Sequence, residues 1–211
     1  MTDARLTHPT HMIMLRVALT GGIATGKSYV LARFQRLGIP CLDSDTLAHG
    51  VTSAGTEATQ QIAVRFGDVL AADGSVDRSK LGPIVFADPA ARADLEAIVH
   101  PAVYRAIEAG IRGFELIGGS PYVVVDVPLL FETGHAHDFD RVVVAACTPE
   151  TQLARLRERG LGEEAARQRL GAQWPTAEKT SRAHFVIDTD GSFENTDRQI
   201  DELHRKLKTE N

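Results

Sequence analysis

Near the N-terminus the chain carries Gly21-Gly22-Ile23-Ala24-Thr25-Gly26-Lys27-Ser28, and no other stretch restricts its fold as much. The run matches G-x-x-x-x-G-K-[ST], follows an apolar segment directly and opens a helical pattern. Glycines let the backbone turn tightly, successive amide N–H groups then face phosphate oxygens, and the helix N-terminus adds the positive end of its dipole. Lys27 is placed to reach the β and γ phosphates of ATP, and the Ser28 hydroxyl to meet Mg2+. Gly21 to Ser28, with Tyr29 following, form the candidate nucleotide-binding set. A glycine turn that binds nothing is the alternative, and the strand and helix on either side weigh against it.

Short apolar strands alternate with longer helical patterns, the signature of a parallel α/β sheet. The strand candidates are Leu15 to Leu19, Ile39 to Leu42, Tyr122 to Val127, Arg141 to Ala146 and His184 to Ile187. The expectation is a three-layer α/β/α P-loop NTPase fold with a five-stranded parallel sheet. Residues 14–211 read as one unit, with a core over 14–42, 120–148 and 184–208. A helix-rich stretch, 43–119, is far longer than one crossover needs and reads as an insertion. Its internal turns are marked by Ala72-Asp73-Gly74 and Asp88-Pro89, and its end by Gly118-Gly119-Ser120-Pro121. A second insertion, 149–183, carries Arg155, Arg157, Arg159, Arg167, Arg169 and Arg182. Arg155 and Arg159 share a helix face by their spacing. A solvated face paired with Glu158, Glu163 and Glu164 explains the cluster equally well. Residues 1–13 read as a polar, poorly ordered extension.

Two acid clusters lie at predicted strand ends, where open α/β sheets collect ligands. Asp43-Ser44-Asp45 follows the second strand. One of these carboxylates is suited to accept a proton from an attacking hydroxyl, and the other to order metal-bound water or the acceptor. An Asp45 N-cap ahead of Thr46-Leu47-Ala48 is the structural alternative for one of the pair. Asp126 ends the apolar strand Tyr122-Val123-Val124-Val125 in the manner of a Walker B acid and is a candidate for the Mg2+ shell. Glu132, in the loop after it, is a candidate to face the acceptor. His100-Pro101 reads as a junction between two helices with Pro at the first helical position.

Several function classes are excluded. The net charge of −5 is the wrong sign for a broad nucleic-acid surface. At 211 residues the chain suits one domain with insertions and not two. The apolar run from Met12 to Leu19 is broken by Arg16 and runs into the glycine loop, which suits neither a signal peptide nor a spanning helix. Cys41 and Cys147 share no metal-type spacing and read as buried free thiols, fitting a reducing cytoplasm. Guanine-specific GTPases carry Asn-Lys-x-Asp, whereas Asn195 and Asn211 are the only asparagines and neither precedes Lys. Small-molecule P-loop kinases keep a mobile lid where the arginine-rich insertion lies, and bind the acceptor where the helical one lies.

In order along the chain, the motifs are Ala18-Leu19-Thr20-Gly21-Gly22-Ile23 with Gly26-Lys27-Ser28, Asp43-Ser44-Asp45, Phe66-Gly67, Asp73-Gly74 and His100-Pro101. They continue with Val127-Pro128-Leu129-Leu130-Phe131-Glu132, Gln173-Trp174 and Val186-Ile187-Asp188 with Gly191. Together they resemble the dephospho-coenzyme A kinase family over nearly all of Leu15 to Lys206, and Val-Pro-Leu-Leu-x-Glu is the discriminating piece. The resemblance implies ATP-dependent phosphorylation of the ribose 3′-hydroxyl of dephospho-coenzyme A, with Asp45 as the base. It also implies acceptor contacts at Asp43, His100, Leu129 and Glu132, and a lid containing the Arg155 to Arg182 cluster, with Arg155 and Arg159 in the ATP-binding set. Ala24 and Tyr29 replace the Gly and Thr commonest in the family's loop, and His49 stands where the family usually has Arg. Another P-loop kinase with a nucleoside or sugar acceptor is the nearest alternative, and a non-catalytic ATP-binding regulatory module the alternative of another class.

Overall fold

A computed structural model describes residues 14–210. The sequence-predicted extension over 1–13 lies outside the described residues. Five strands form one sheet in the order β2-β3-β1-β4-β5, all neighbours parallel: β1 (Leu15–Gly21), β2 (Cys41–Asp43), β3 (Tyr122–Asp126), β4 (Arg141–Ala146) and β5 (Phe185–Asp188). β3 and β4 are rich in Val because both faces are covered. Val17, Leu19, Val124, Val143 and Ala145 point to a core shared with α1 (Lys27–Arg36) and α9 (Phe193–Thr209). Ala18, Val123, Val125, Val142 and Val144 point the other way, toward α5 (Pro89–Ile117). This period-2 alternation builds the three layers.

Two strands start later than the apolar pattern predicts. β2 begins at Cys41 because Pro40 has no N–H for the ladder and offers only its carbonyl, to Val124 N at 3.0 Å. β5 is shifted by one residue and ends at Asp188.

Four helices fill the stretch between β2 and β3: α2 (Ser44–Val51), α3 (Glu57–Phe66), α4 (Arg78–Ala87) and α5. The turn predicted at Asp73-Gly74 is closed by the Asp73 carboxylate, which accepts from Ser75 N at 2.9 Å and Ser75 Oγ at 2.6 Å. Asp88 ends α4 and caps α5, with Pro89 at the first turn.

The junction expected at His100-Pro101 is absent, because α5 runs through it as one helix of 29 residues. An internal proline costs about 3 kcal/mol. The cost is met because both halves are anchored. Leu95, Ile98 and Val99 pack on Ile62, Val69 and Leu81, while Val103, Ile107 and Ile111 pack on the sheet.

Between β4 and β5 lie α6 (Pro149–Glu158), α7 (Glu163–Gly171) and α8 (Thr176–Ser181). Cys147 is buried and Cys41 half-buried, both as free thiols. Among the described residues no helix is long and apolar enough to cross a membrane.

Tyr122 is fully buried between the sheet, α1 and α9, and its hydroxyl meets His204 Nδ1 at 2.6 Å. Tyr122→Phe keeps the packing and leaves the histidine nitrogen unpartnered. The expected loss is about 1 kcal/mol of unfolding free energy, read by urea denaturation.

Candidate active site

β1 delivers the chain at the C-terminal edge of the sheet, and α1 begins only at Lys27. The intervening turn needs unusual backbone. Gly26 takes φ 80° at the helix cap, and Ala24, at φ 60°, is the one non-glycine residue with positive φ among the described residues. For a residue bearing a Cβ that conformation costs roughly 1–2 kcal/mol. It is held from outside, since Arg155 donates to the Ala24 carbonyl at 3.1 Å and to the Thr189 carbonyl at 2.5 Å. Thr189 donates in turn to the Thr25 carbonyl at 2.7 Å. At Gly21 a Cβ would sit 2.6 Å from the Ala145 carbonyl oxygen, so glycine is what lets the turn lie against β4.

All the predicted loop residues from Gly21 to Tyr29 line one cavity of about 730 Å³, together with Arg155, Arg159 and Asp45. Ser28 is exposed there. Lys27 Nζ lies 2.5 and 2.7 Å from the two oxygens of Asp126. Strand register brings the acids together, because Asp126 pairs with Leu19 on one side and with Asp43 on the other. Burial is the main cause that pushes the Asp126 carboxyl up to about 6; Lys27 opposes it, and Asp43 and Asp45 add to it.

The two acids after β2 divide their work, and the N-cap predicted at Asp45 is at Asp43. One Asp43 oxygen accepts from Asp45 N at 2.8 Å and from Thr46 N at 3.2 Å. Asp45, in the first turn of α2, is exposed, and its carboxylate takes no hydrogen bond among the described residues. A second cavity, of about 320 Å³, is lined by Asp45, His100, Tyr104, Ile107 and Leu129 and is mainly apolar. Three residues, Asp45, Pro128 and Gln173, line both cavities.

Glu132 is not brought to the acceptor-side cavity. Its Oε1 accepts from the fully buried Lys179 at 2.7 Å and from Trp174 N at 3.2 Å, which turns the side chain toward α8. Lys179 also donates to the Pro128 carbonyl at 3.1 Å. The arginine cluster is split between its two readings. Arg157 and Arg167 pair with Glu163, and Arg182 pairs with Glu178 and lies over the Trp174 ring, whereas Arg155 and Arg159 face the loop cavity.

This geometry places a phosphate-binding turn, a lysine–aspartate pair and a free carboxylate around adjoining cavities, the layout for moving a phosphoryl group onto a second ligand. The family model for dephospho-CoA kinase matches residues 15–195. The chain belongs to the dephospho-CoA kinase family. The dephospho-CoA kinase of Leifsonia xyli is 45% identical, the match covering 92% of this chain and all of that one. That of Geobacillus kaustophilus is 46% identical over 88% of this chain and 93% of its own. The solved dephospho-CoA kinase of Campylobacter jejuni superposes with TM-score 0.72 at 25% identity, covering 94% of this chain and 99% of that one.

Two departures from the family pattern have structural outcomes. His49 is exposed on α2 and lines neither cavity. Tyr29 directs its hydroxyl away, donating to Asp197 of α9 at 2.9 Å, while its ring lies 4.6 Å from that of Phe193. Sequence reasoning assigned nothing to Gln152, Lys179 or Thr189. Gln152 and Lys179 are buried polar groups whose partners lie far away in the chain, and no local pattern announces them.

An acid whose folded pKa is raised binds its proton more tightly when folded. Asp126 therefore stabilises the ligand-free protein most below its unfolded value, near 3.9, and that contribution is lost as pH rises through about 6. Asp126→Asn removes this dependence, so the variant gains stability relative to the parent between about pH 4 and 6.5. Denaturation series at stepped pH measure the difference, and a constant offset across the window contradicts the assignment.

Proposed function

We propose that the chain transfers the γ-phosphoryl of ATP to the ribose 3′-hydroxyl of dephospho-coenzyme A, giving ADP and coenzyme A. One observation carries this reading beyond family membership: Asp45, exposed and without a hydrogen-bond partner among the described residues, lines both the phosphate-loop cavity and the apolar cavity beside it. A carboxylate in that place is suited to orient an acceptor hydroxyl and take its proton as the O–P bond forms. Loop amides and Lys27 hold the phosphates, and Arg155 and Arg159 face the same cavity with positive charge. Ser28 and Asp126 are hard oxygen donors fit to hold Mg2+ directly or through water. Held there, Mg2+ would supply positive charge to neutralise the phosphates of ATP. On binding, Lys27 exchanges its bond with Asp126 for phosphate oxygens.

The proposal treats residues 43–119 as the acceptor-binding insertion and 149–183 as the lid. In this arrangement His100 and Leu129 contact the acceptor from the wall of the smaller cavity, and Asp43 acts by aiming Asp45. A reducing cytoplasm is the compartment the two free thiols suit.

The test is incubation with ATP and Mg2+ against dephospho-coenzyme A, nucleosides and simple sugars, following ADP and phosphorylated product. ADP that depends on dephospho-coenzyme A alone is the expected result. Dependence on another acceptor reassigns the substrate, and ADP formation indifferent to every acceptor sinks the transferase reading. For Asp45→Asn, turnover is expected to fall by about 100-fold or more with ATP affinity nearly unchanged. Collapse of ATP binding instead assigns the residue to the nucleotide site.

A further inference from the structure

Ile23, the third residue of the phosphate loop, has both backbone polar groups occupied by side chains from the segment between β4 and β5. Its N–H donates to Gln173 Oε1 at 2.8 Å, and its carbonyl accepts from Gln152 Nε2 at 2.6 Å. Gln152 is buried, at 4% exposure, and also lies beside Thr176 of α8. The two carboxamides grip one peptide residue from opposite sides.

The bond to Ile23 settles which end of the Gln173 amide is which. A backbone N–H needs an acceptor, so oxygen faces the loop and nitrogen is left over. That Nε2 makes no hydrogen bond among the described residues. Gln173 also belongs to the small set that lines both cavities, with Asp45 and Pro128. Gln173 and Asp45 thus each border both the phosphate-loop cavity and the cavity beside it.

We propose that Gln173 is a further catalytic residue, anchored through Oε1 to the Ile23 amide and donating from Nε2 to an oxygen of the transferring phosphoryl group. The inference rests on the kinase reading above. In the step, the bond from the γ phosphorus to the β–γ bridging oxygen breaks, that oxygen leaves with ADP, and a bond to the acceptor oxygen forms. The hydroxyl proton goes to Asp45. Gln173 donates a hydrogen bond and transfers no proton. A carboxamide suits this position because it offers a fixed donor between phosphates and a carboxylate without itself titrating. Gln152 is a positioning residue that fixes the plane of the Ile23 peptide and with it the direction of the amide.

ADP separates this role from a purely structural one, because it lacks the group Nε2 is proposed to touch. Gln173→Met removes acceptor and donor, while Gln173→Glu keeps the oxygen for Ile23 and loses the donor. With the parent first shown to phosphorylate dephospho-coenzyme A, both variants are expected to bind ADP within about 3-fold of the parent and to lose about 100-fold in kcat. Gln173→Glu is expected to melt with the parent, and Gln173→Met a few degrees lower, because it loses the bond to the Ile23 N–H. Loss of ADP affinity in step with turnover makes Gln173 a prop for the loop and overturns the proposal. Near-parental kcat in either variant overturns it as well. A parent inactive on dephospho-coenzyme A fails at the earlier step and overturns the functional reading, a result distinct from an active parent with active variants.

Discussion

The Lys27 ammonium lies against the Asp126 carboxylate where β1 and β3 end side by side, and the geometry of the site is organised around that pair. Both groups are largely buried, and a buried charge persists only with a partner. The pair ties the start of α1 to the end of β3. Strand register sets Asp43 beside Asp126, and so brings the second acid cluster to the same edge. Burial at this sheet edge is what chiefly raises the Asp126 carboxyl; Lys27 holds it in check, and the neighbouring Asp43 and Asp45 add to the rise.

From this edge the two insertions are joined to the core by different means. The helical one is aimed by a cap: Asp43 closes the N-terminus of α2 and so presents Asp45. The arginine-bearing one is pinned by polar bonds to the loop and to the segments that follow β3 and β5. Arg155 reaches Ala24 and Thr189, the two glutamines reach Ile23, and Lys179 reaches Glu132 and Pro128. A loop with one strained alanine keeps its shape because these groups surround it.

Much of this was legible in the residues. The glycine-lysine-serine run placed the turn, the valine runs placed β3 and β4, and strand-end acids marked the candidate site, because each is a local consequence of backbone geometry or burial. Three features were not legible, for one shared reason. Which of Asp43 and Asp45 would cap α2 depends on backbone angles at the exit of β2. Whether Pro101 breaks a helix depends on what both halves pack against. Where Glu132 points depends on a lysine 47 positions later, seen only once the chain has folded. Each is decided by backbone geometry or partners that exist only once the chain has folded, which a local pattern does not encode.

The uninterrupted helix α5 joins the outlying cluster of Ile62, Val69 and Leu81 to the sheet as one rod. At Pro101 the rod lacks a backbone bond, and the residue before it, His100, forms part of the wall of the smaller cavity. Flexure of a rod concentrates at its weakest rung. A bend of α5 at that rung would therefore carry His100 with it and reshape the wall of the smaller cavity.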